Sequence, residues 1–224
     1  FIEREGYLDG HQNVGSTISL PVLETSSSWL NICDFLIDKN SREFFARGYP
    51  ISERQISRAK KIESIKSKKV VVNGGLWLGD PDIDAITRLT NPIDVTGYIR
   101  NDNFALEKDT WCPFNSQNTA LARETIPSYF LSPHIGRFDD IWASYFTKRV
   151  ADYFDDAISF GFPLVKQDRN DHNLWHDLEL EIFGNQNTET FVGWLRSIQL
   201  TGKTYYDVSL NLLNELDKKL DEDH

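Results

Sequence analysis

The sequence predicts a mixed α/β fold, because it contains one strongly buried strand and two amphipathic helical segments. The β-branched run Val70–Val72 predicts a buried strand. Apolar residues recur at helical spacing over Trp29–Leu36, after three serines that suit a helix N-terminus. They recur again over Ile141–Phe154. Strand and helix patterns in one chain of this length indicate a sheet packed with helices.

Composition indicates a globular protein and excludes some partners. The 224 residues are 40% hydrophobic and 12% aromatic, which is ample for a packed core. A net charge of −10 with a pI near 5.0 argues against nucleic acid as a partner, since no basic stripe is present to contact phosphates. No apolar run is long enough to span a membrane, and no signal peptide is visible. The two cysteines, Cys33 and Cys112, indicate no disulfide framework, so we expect a cytoplasmic protein.

The first fifty residues predict a loop, a helix and an extended piece. Residues 1–21 are polar and broken by glycines, which indicates a loop with at most a short strand. A capped helix is expected from Ser26 to about Asn40, and a short strand or extended piece from Phe44 to Pro50. Within that piece, Arg47 lies among aromatics and glycine. It is placed either to grip a phosphate or carboxylate with two hydrogen bonds or to form an ordinary salt bridge.

The segment from Glu53 to Lys69 is strongly basic. A solvated helix face or a mobile loop is the favoured interpretation, ahead of a phosphate-binding lid. Its cationic residues are Arg54, Arg58, Lys60, Lys61, Lys66, Lys68 and Lys69.

The stretch from Val70 to Leu89 is expected to carry chemistry at a strand end. The strand is predicted to stop at Asn73, where Gly74 and Gly75 let backbone N–H groups approach a ligand. The acids that follow, Asp80, Asp82 and Asp84, offer carboxylates to sugar hydroxyls, a divalent ion or a helix N-terminus. The simpler alternative is a strand, a tight turn and a capped helix.

Residues 91–108 predict a strand and a loop, and residues 110–119 an irregular polar and aromatic segment. Asn115, Gln117 and Asn118 lie close to aromatic residues there, as in surfaces that bind sugars. A turn rich in Asn and Ser is the alternative interpretation.

The last third predicts helices around a strand pair. Asp139 and Asp140 are expected in the first turn of a helix, where capping accounts for one acid more easily than for two. A strand pair is predicted over residues 158–165, and His172 follows it as either a polar loop residue or a metal ligand. Helices are expected from Leu174, with a frayed acidic tail over Asp217–His224.

Four segments together resemble one family, in the same order and at similar spacing from Phe44 to Glu181. They are ARGYP at 46–50, NGGLWLGDPDIDA at 73–85, GRFDDIWASYFTKR at 136–149 and GFPLV at 161–165. The chain resembles the reversibly glycosylated polypeptides, proteins of the GT-A fold that include the plant UDP-arabinopyranose mutases. PFNSQNT at 113–119 and QDRN at 167–170 with His172 are more similar to bacterial and STELLO-type relatives. The resemblance implies a GT-A-like fold, with a mixed sheet flanked by helices, and the C-terminal, acceptor-side part of it.

The resemblance also implies site residues. Arg47 matches the arginine that becomes glycosylated in the plant proteins, and Asp139 and Asp140 match the acidic pair beside the transferring sugar. The implied substrate-binding residues are Asn73, Gly74, Gly75, Leu76, Trp77, Asp80, Asp82, Asn115, Gln117, Asn118 and Arg137.

A divalent ion, Mn²⁺ or Mg²⁺, is implied as well, but its main Asp-x-Asp motif has no counterpart in this chain. Gln167 stands where the plant proteins have a histidine, which leaves His172 as the candidate metal ligand. The chain contains no methionine and opens abruptly with FIEREGY, so we expect the motif and the nucleotide-binding half upstream of Phe1. Residues 1–180 would then be the sugar- and acceptor-binding part and residues 181–224 a helical extension.

The function expected from the resemblance is a glycosyltransferase that uses a nucleotide sugar, most simply a UDP-sugar, in polysaccharide or surface-glycan synthesis. Its acceptor would be a glycan or another molecule, and a homo-oligomer is one expected assembly. We expect that residues 1–224 alone do not turn over a nucleotide sugar. One alternative is a UDP-sugar mutase that glycosylates itself at Arg47. Others are a carbohydrate-binding protein or a scaffold without catalysis.

Overall fold

The computed structural model describes residues 10–55 and 60–222, and these build one mixed sheet flanked by helices. The sheet contains seven strands in the order β1-β5-β7-β3-β4-β2, with β6 paired to β3. Strand β7 runs parallel to β3 and β5 parallel to β1, while the other pairs are antiparallel. The expected mixed α/β, GT-A-like fold is therefore confirmed. The strands are β1 (Thr17–Thr25), β2 (Leu36–Asp38), β3 (Lys61–Gly79), β4 (Val95–Tyr98), β5 (Phe104–Leu106), β6 (Thr119–Leu121) and β7 (Ala157–Gln167).

The helices cover the sheet and form the rest of the core with it. They are α1 (Ala85–Thr90), α2 (Asp139–Tyr153), α3 (Leu174–Ser197) and α4 (Tyr205–Glu222). Short 3₁₀ helices lie at Gly10–Asn13, Ile32–Phe35, Ser52–Gln55, Arg123–Ser128 and Gly136–Phe138. Helix α2 contributes Ile141, Tyr145 and Val150 to the main core, all of them buried. No helix in the two described ranges is both long enough and apolar enough to cross a bilayer.

The central stretch forms the longest strand, and its predicted end at Asn73 is wrong. Strand β3 continues through Gly74 and Gly75 to Gly79, because β6 pairs with one of its edges there and β7 with the other. The helix expected after it is present as α1, and Asp84 caps it by accepting a hydrogen bond from Thr87 N at 2.7 Å. The glycines therefore serve close packing inside the sheet and do not end the strand.

The helix predicted after Ser26 is also wrong. Asn31 caps only a short 3₁₀ helix, Ile32–Phe35, and the chain then enters β2, which pairs with β4. The Asn31 side chain donates to the carbonyl of Phe44 at 2.9 Å, which ties the turn to a distant segment. The apolar run is buried on all sides, so it lacks the exposed face that an amphipathic helix needs.

From Lys61 to Lys69 the basic segment is a strand, which corrects the prediction of a helix face or loop there. Lys61–Lys69 form the first half of β3 and pair antiparallel with β1. Its lysines are neutralised one by one: Lys61 by Asp34, Lys66 by Glu107, Lys68 by Asp155 and Lys69 by Glu124. Arg58, which was counted in that segment, lies outside the described residues, as do residues 1–9 of the predicted N-terminal loop.

Smaller differences concern the last third of the chain. The predicted strand pair at 158–165 is the single strand β7, in which the pairing register with β3 shifts between Gly75 and Trp77. The acidic tail is helical up to Glu222, and residues 223–224 lie outside the described part. Helix α3 crosses residue 180, and the division of the chain at that position stays a prediction. Cys33 and Cys112 are both free and buried.

Candidate functional site

Arg47 lies in a tight turn that is packed against helix α2. Its backbone N–H donates to the carbonyl of Asp82 at 3.0 Å, which anchors the turn to the segment after β3. Gly48 has a φ of +87°, and a Cβ there would lie 2.2 Å from Ile141 Cγ2 on α2. Only glycine fits this approach, which brings the Arg47 side chain to the first turn of α2. The side chain is almost fully buried, with 7% of it exposed.

The Arg47 guanidinium is held between two buried carboxylates. Its Nε donates to both carboxylate oxygens of Asp82 at 3.2 Å, and its Nη2 donates to Asp82 Oδ2 at 3.0 Å. The same Nη2 donates to Asp140 Oδ1 at 3.1 Å, and Nη1 donates to the carbonyl of Arg137. Burial alone would lower the pKa of Arg47, but Asp82 and Asp140 outweigh it and raise that pKa. The group is therefore a permanent cation with few free N–H donors.

The polar segment at 113–119 donates further hydrogen bonds to both carboxylates. Asn115 Nδ2 donates to Asp82 Oδ2 at 2.9 Å. Ser116 donates to Asp140 Oδ2 through its backbone N at 3.0 Å and its hydroxyl at 3.2 Å. We refer to Arg47, Asp82, Asn115, Ser116 and Asp140 as the Arg47 cluster. Its parts come from four separate segments, so the fold rather than local sequence assembles it.

The electrostatics of Asp82 favour the ionised form. Burial would raise the pKa of its carboxyl, but Arg47, Arg169 and Asn115 together lower it below the usual range. Arg169 follows β7 and donates through Nη2 to Asp82 Oδ1 at 3.4 Å and to Gln117 Oε1 at 3.1 Å. Asp82 is thus an anion shared by two arginines.

The cluster borders a cavity of about 10 Å³, which is room for one water molecule. Gly74, Gly75, Leu76 and Trp77 line it from strand β3, as the resemblance implied for the wall of a sugar site. A Cβ on Gly75 would lie 2.4 Å from Asn118 Nδ2, and the Gly75 N–H donates to the carbonyl of Asn118 at 2.7 Å. The glycines thus let the 113–119 segment pack directly on β3 and close the cavity in this conformation.

Three of the predicted site residues lie away from this cluster. Asp139 accepts a hydrogen bond from the Asp140 backbone N at 2.7 Å and lines a separate apolar cavity of about 280 Å³ that α2, α3 and α4 form. Asn73 donates to Ser159 Oγ at 2.9 Å and does not line the small cavity. His172 lies 3.2 Å from Asp177, which also pairs with Arg137 at 3.1 Å.

The remaining predicted residues lie at the edge of the cluster. Asp80 pairs with Arg88 on α1 and is 3.8 Å from Arg169 Nε. Arg137 contributes its carbonyl to Arg47, and its guanidinium Nε lies 3.2 Å from Glu181. Gln117 donates through its backbone N to Asn115 Oδ1 at 3.0 Å, and Asn118 packs against Gly75, which lines the small cavity.

Sequence reasoning missed Ser116, Arg169 and Glu181. Glu181 is buried on α3, accepts from Ala85 N at 2.7 Å and from Arg137 Nε at 3.2 Å, and so joins α3 to the start of α1 and to the residue whose carbonyl binds Arg47. Nothing in the local sequence of α3 marks this glutamate. Arg169 and Ser116 lie inside the two segments that resemble the bacterial relatives. That resemblance was the sequence signal that could have marked them as site residues.

The described residues alone form no complete site for the expected divalent ion, so that ion stays a prediction. In the described ranges, no group of three or more His, Cys, Asp or Glu side chains is arranged to hold a metal. His172 has one carboxylate beside it and the Asp82 carboxylate is already taken by two arginines.

Comparison with known proteins gives a consistent picture. The family model for reversibly glycosylated polypeptide matches residues 37–223. UDP-arabinopyranose mutase 1 of Arabidopsis thaliana is 29% identical over 163 residues, which cover 70% of this chain and 42% of that protein. UDP-arabinopyranose mutase 3 of the same plant is 29% identical over 151 residues, 65% of this chain and 36% of that protein. The probable UDP-arabinopyranose mutase 1 of Solanum tuberosum is 30% identical over 151 residues, with the same coverage. The matched part thus spans well under half the length of these relatives.

Proposed function

Because the chain belongs to the reversibly glycosylated polypeptide family, we propose that it is the sugar-binding part of an enzyme that acts on a UDP-sugar. The observation that carries the proposal is the buried pairing of Arg47 with Asp82 and Asp140, beside the Gly74–Trp77 wall. A buried cation shared by two carboxylates is costly to maintain for stability alone. Binding of a polyhydroxylated, charged substrate would account for this arrangement.

The chemistry of the cluster suits sugar transfer. Carboxylates accept hydrogen bonds from sugar hydroxyls and stabilise the positive charge that develops at the anomeric carbon in an oxocarbenium-like transition state. Asp140 supplies the carboxylate in this proposal, and Arg47 fixes its position and charge. Asp139, which faces the other cavity, has no such role.

A UDP-sugar mutase is the first candidate activity, because the named relatives are UDP-arabinopyranose mutases. In that case, Arg47 accepts the sugar covalently: a guanidinium nitrogen forms the bond to the anomeric carbon, UDP leaves with the electron pair of the broken bond, and a neighbouring carboxylate takes the proton. Asp82 and Asp140 are both within hydrogen-bond distance of the Arg47 guanidinium.

Glycosyl transfer to an external acceptor is the second candidate, and the ion pairing of Arg47 favours it. A guanidinium that donates through Nε, Nη1 and Nη2 and has a raised pKa is a poor nucleophile. Arg47 would then hold Asp140 and the substrate in place, with a glycan as acceptor, in polysaccharide or surface-glycan synthesis. Either activity fits a cytoplasmic enzyme, since Cys33 and Cys112 are unpaired.

Mass spectrometry and a conversion assay test the proposal together. Full-length protein is incubated with UDP-sugars, with and without Mn²⁺. Conversion between ring forms and one added sugar mass on the peptide that contains Arg47 are expected of a mutase. Transfer to an acceptor with that peptide unmodified indicates a glycosyltransferase.

Arg47→Lys keeps the charge but loses the planar fork, so we expect it to abolish either activity. Arg42→Lys is the matched control, because Arg42 pairs with Asp38 away from the cluster and is partly exposed. A full-length protein that neither binds nor converts any UDP-sugar contradicts the proposal.

A further inference from the structure

Helix α4 has two apolar faces, and the described part of the chain covers one of them. The covered face packs into the main core through the buried residues Tyr205, Val208, Leu212 and Leu216. The other face contains four large hydrophobic residues that are between 38% and 63% exposed: Tyr206, Leu210, Leu213 and Leu220. A contiguous apolar surface of this kind marks a place where another molecule binds.

The spacing of the exposed residues indicates what kind of surface covers them. Together with the exposed Asp217, they recur along α4 at intervals of 4, 3, 4 and 3 residues. These intervals are the alternating a and d positions of a heptad repeat, which is the pattern of the contact line between two paired helices. We refer to Tyr206, Leu210, Leu213, Asp217 and Leu220 as the α4 seam.

Helix α3 exposes apolar residues too, but without this pattern. Its exposed hydrophobic residues lie in its first half, at Trp175, Leu180, Ile182 and Phe183. Between residues 184 and 197 it exposes no large hydrophobic side chain. The a and d pattern over the length of a helix therefore distinguishes α4 from α3.

The α4 seam borders the apolar cavity of about 280 Å³ that α2, α3 and α4 form. Leu213, Asp217 and Leu220 belong both to the seam and to the cavity lining, and the exposed Phe130 extends the apolar rim. The cavity gives room for side chains of an opposing helix to insert, as the knobs of paired helices do. Because the seam is only about two heptads long, this additional apolar surface contributes to the area that a specific interface requires.

We propose that α4 pairs with α4 of a second copy of this chain, in antiparallel orientation about a two-fold axis. This assigns an interface to the expected homo-oligomer and does not depend on the proposed function. Reversing one helix brings a positions opposite d positions, so Leu210 faces Leu213 of the second copy and Tyr206 faces its Asp217. The two polar groups of the seam then meet, and the Tyr206 hydroxyl donates to the Asp217 carboxylate.

The charge of Asp217 decides the orientation. A parallel pair brings a positions opposite a positions, so each Asp217 would face the Asp217 of the second copy in an otherwise apolar seam. Two like charges at that distance repel each other. The antiparallel pair avoids this repulsion, and the opposed helix dipoles favour it further.

Sedimentation velocity of the 224-residue chain tests the pairing. At about 100 μM, we expect a species of about twice the chain mass of 25.9 kDa. Leu213→Glu introduces a charge at the centre of the seam and should weaken the dimer by at least about 100-fold, so that it sediments as a monomer. Its far-UV circular dichroism should match that of the wild type, because Leu213 is partly exposed.

Leu180→Glu is the matched control, since it makes the same change at a similarly exposed leucine on α3. We expect this variant to remain a dimer. A monomeric wild type would overturn the inference, because the seam would then be covered by something other than a second copy. A Leu213→Glu variant that still dimerises, or a Leu180→Glu variant that does not, would overturn it as well.

Disulfide cross-linking tests the orientation without depending on Leu213→Glu. The variants Tyr206→Cys and Asp217→Cys are treated with oxidised glutathione, each alone and as a mixture. An antiparallel pair gives a cross-linked dimer in the mixture and not in either variant alone. Cys33 and Cys112 should not interfere, since both are buried. Cross-linking within each variant alone, or no cross-linking in any sample, would contradict the proposed pairing.

Discussion

Asp139 and Asp140 are neighbours in sequence with different surroundings, so their substitutions should have different effects. Asp140→Asn removes one of two negative charges from a buried arginine, and we expect the free energy of unfolding to fall by about 2–4 kcal/mol. Asp139→Asn removes a partly exposed charge from the first turn of α2 and should cost about 0.3–1 kcal/mol. Urea unfolding of the two variants measures the difference. Similar losses for both would contradict the environments described above.

The same pair tests the catalytic role. If Asp140 supplies the carboxylate, Asp140→Asn in the full-length protein should lose on the order of 10²-fold or more in rate, measured at a temperature where the variant stays folded. Asp139→Asn should keep its rate within a few-fold. The opposite ranking would exclude Asp140 as the functional acid.

The lowered pKa of Asp82 predicts how the stability of the protein changes at acid pH. Its folded-state pKa lies below the ordinary value of 3.8, so between the two values the unfolded chain binds more protons than the folded one. Its contribution to stability is therefore full above about pH 4 and is lost as the pH falls through the lower value. Carboxyl carbon chemical shifts followed by NMR should show Asp82 still ionised at pH 3.8. A midpoint at or above that pH would be the contrary result.

At the scale of elements, helix α2 contains a buried ion pair of its own. Lys148 and Asp152 lie one turn apart with almost no exposed surface, and burial lowers the pKa of the lysine and raises that of the aspartate. Lys148 also donates to the carbonyl of Glu107 at 3.2 Å, and Asp152 accepts from Asp109 N at 3.2 Å. The pair thus fixes the turn before Trp111.

Lys148→Met alone should destabilise the protein by about 3–5 kcal/mol, because it leaves a buried carboxylate without its cation. The double variant Lys148→Met with Asp152→Asn should recover part of that loss, since no charge stays buried. The control is Lys218→Met on α4, whose exposed pair with Glu215 should contribute less than about 1 kcal/mol. Chemical denaturation of the wild type, these three variants and the single variant Asp152→Asn measures these differences, and a loss in the double variant equal to the sum of the two single losses would contradict the pairing.

Local pattern predicted those elements whose own segment carries a clear apolar pattern. Helix α2 shows one face with helical spacing, and Val70–Val72 are buried in β3, so both predictions are confirmed. Strand pairing between β1 and Lys61–Lys69 joins segments about forty residues apart, and no local pattern reports it. The residues of the candidate site also differ in how far their own segments predict them. Arg47 and Asp82 were recognisable from their own segments, whereas Glu181 contributes only because α3 packs under α1.

At the scale of the whole molecule, we predict that residues 1–224 by themselves do not turn over a UDP-sugar. The cavity beside Arg47 admits one water and is too small for a sugar ring. The match covers 36–42% of the length of the mutases named above. Chromatographic separation of the UDP-sugar ring forms, together with a coupled assay for released UDP, checks this, with the Arabidopsis thaliana UDP-arabinopyranose mutase 1 as positive control. Turnover by the 224 residues alone would contradict it.

Strand β3 pairs with β1, β4, β6 and β7, so four of the other six strands depend on it. Backbone amides in its buried part, such as Val71 and Val72, should exchange with deuterium only when the whole sheet unfolds. Amides in the exposed first half of β3, such as Ile65, should exchange through local opening. A ligand bound at Arg47 would then raise the free energy of opening at Val71 by its full binding free energy, so exchange at Val71 would slow. Exchange at Ile65 would not change. The exchange pattern of this one strand therefore records both the stability of the fold and the occupancy of the site.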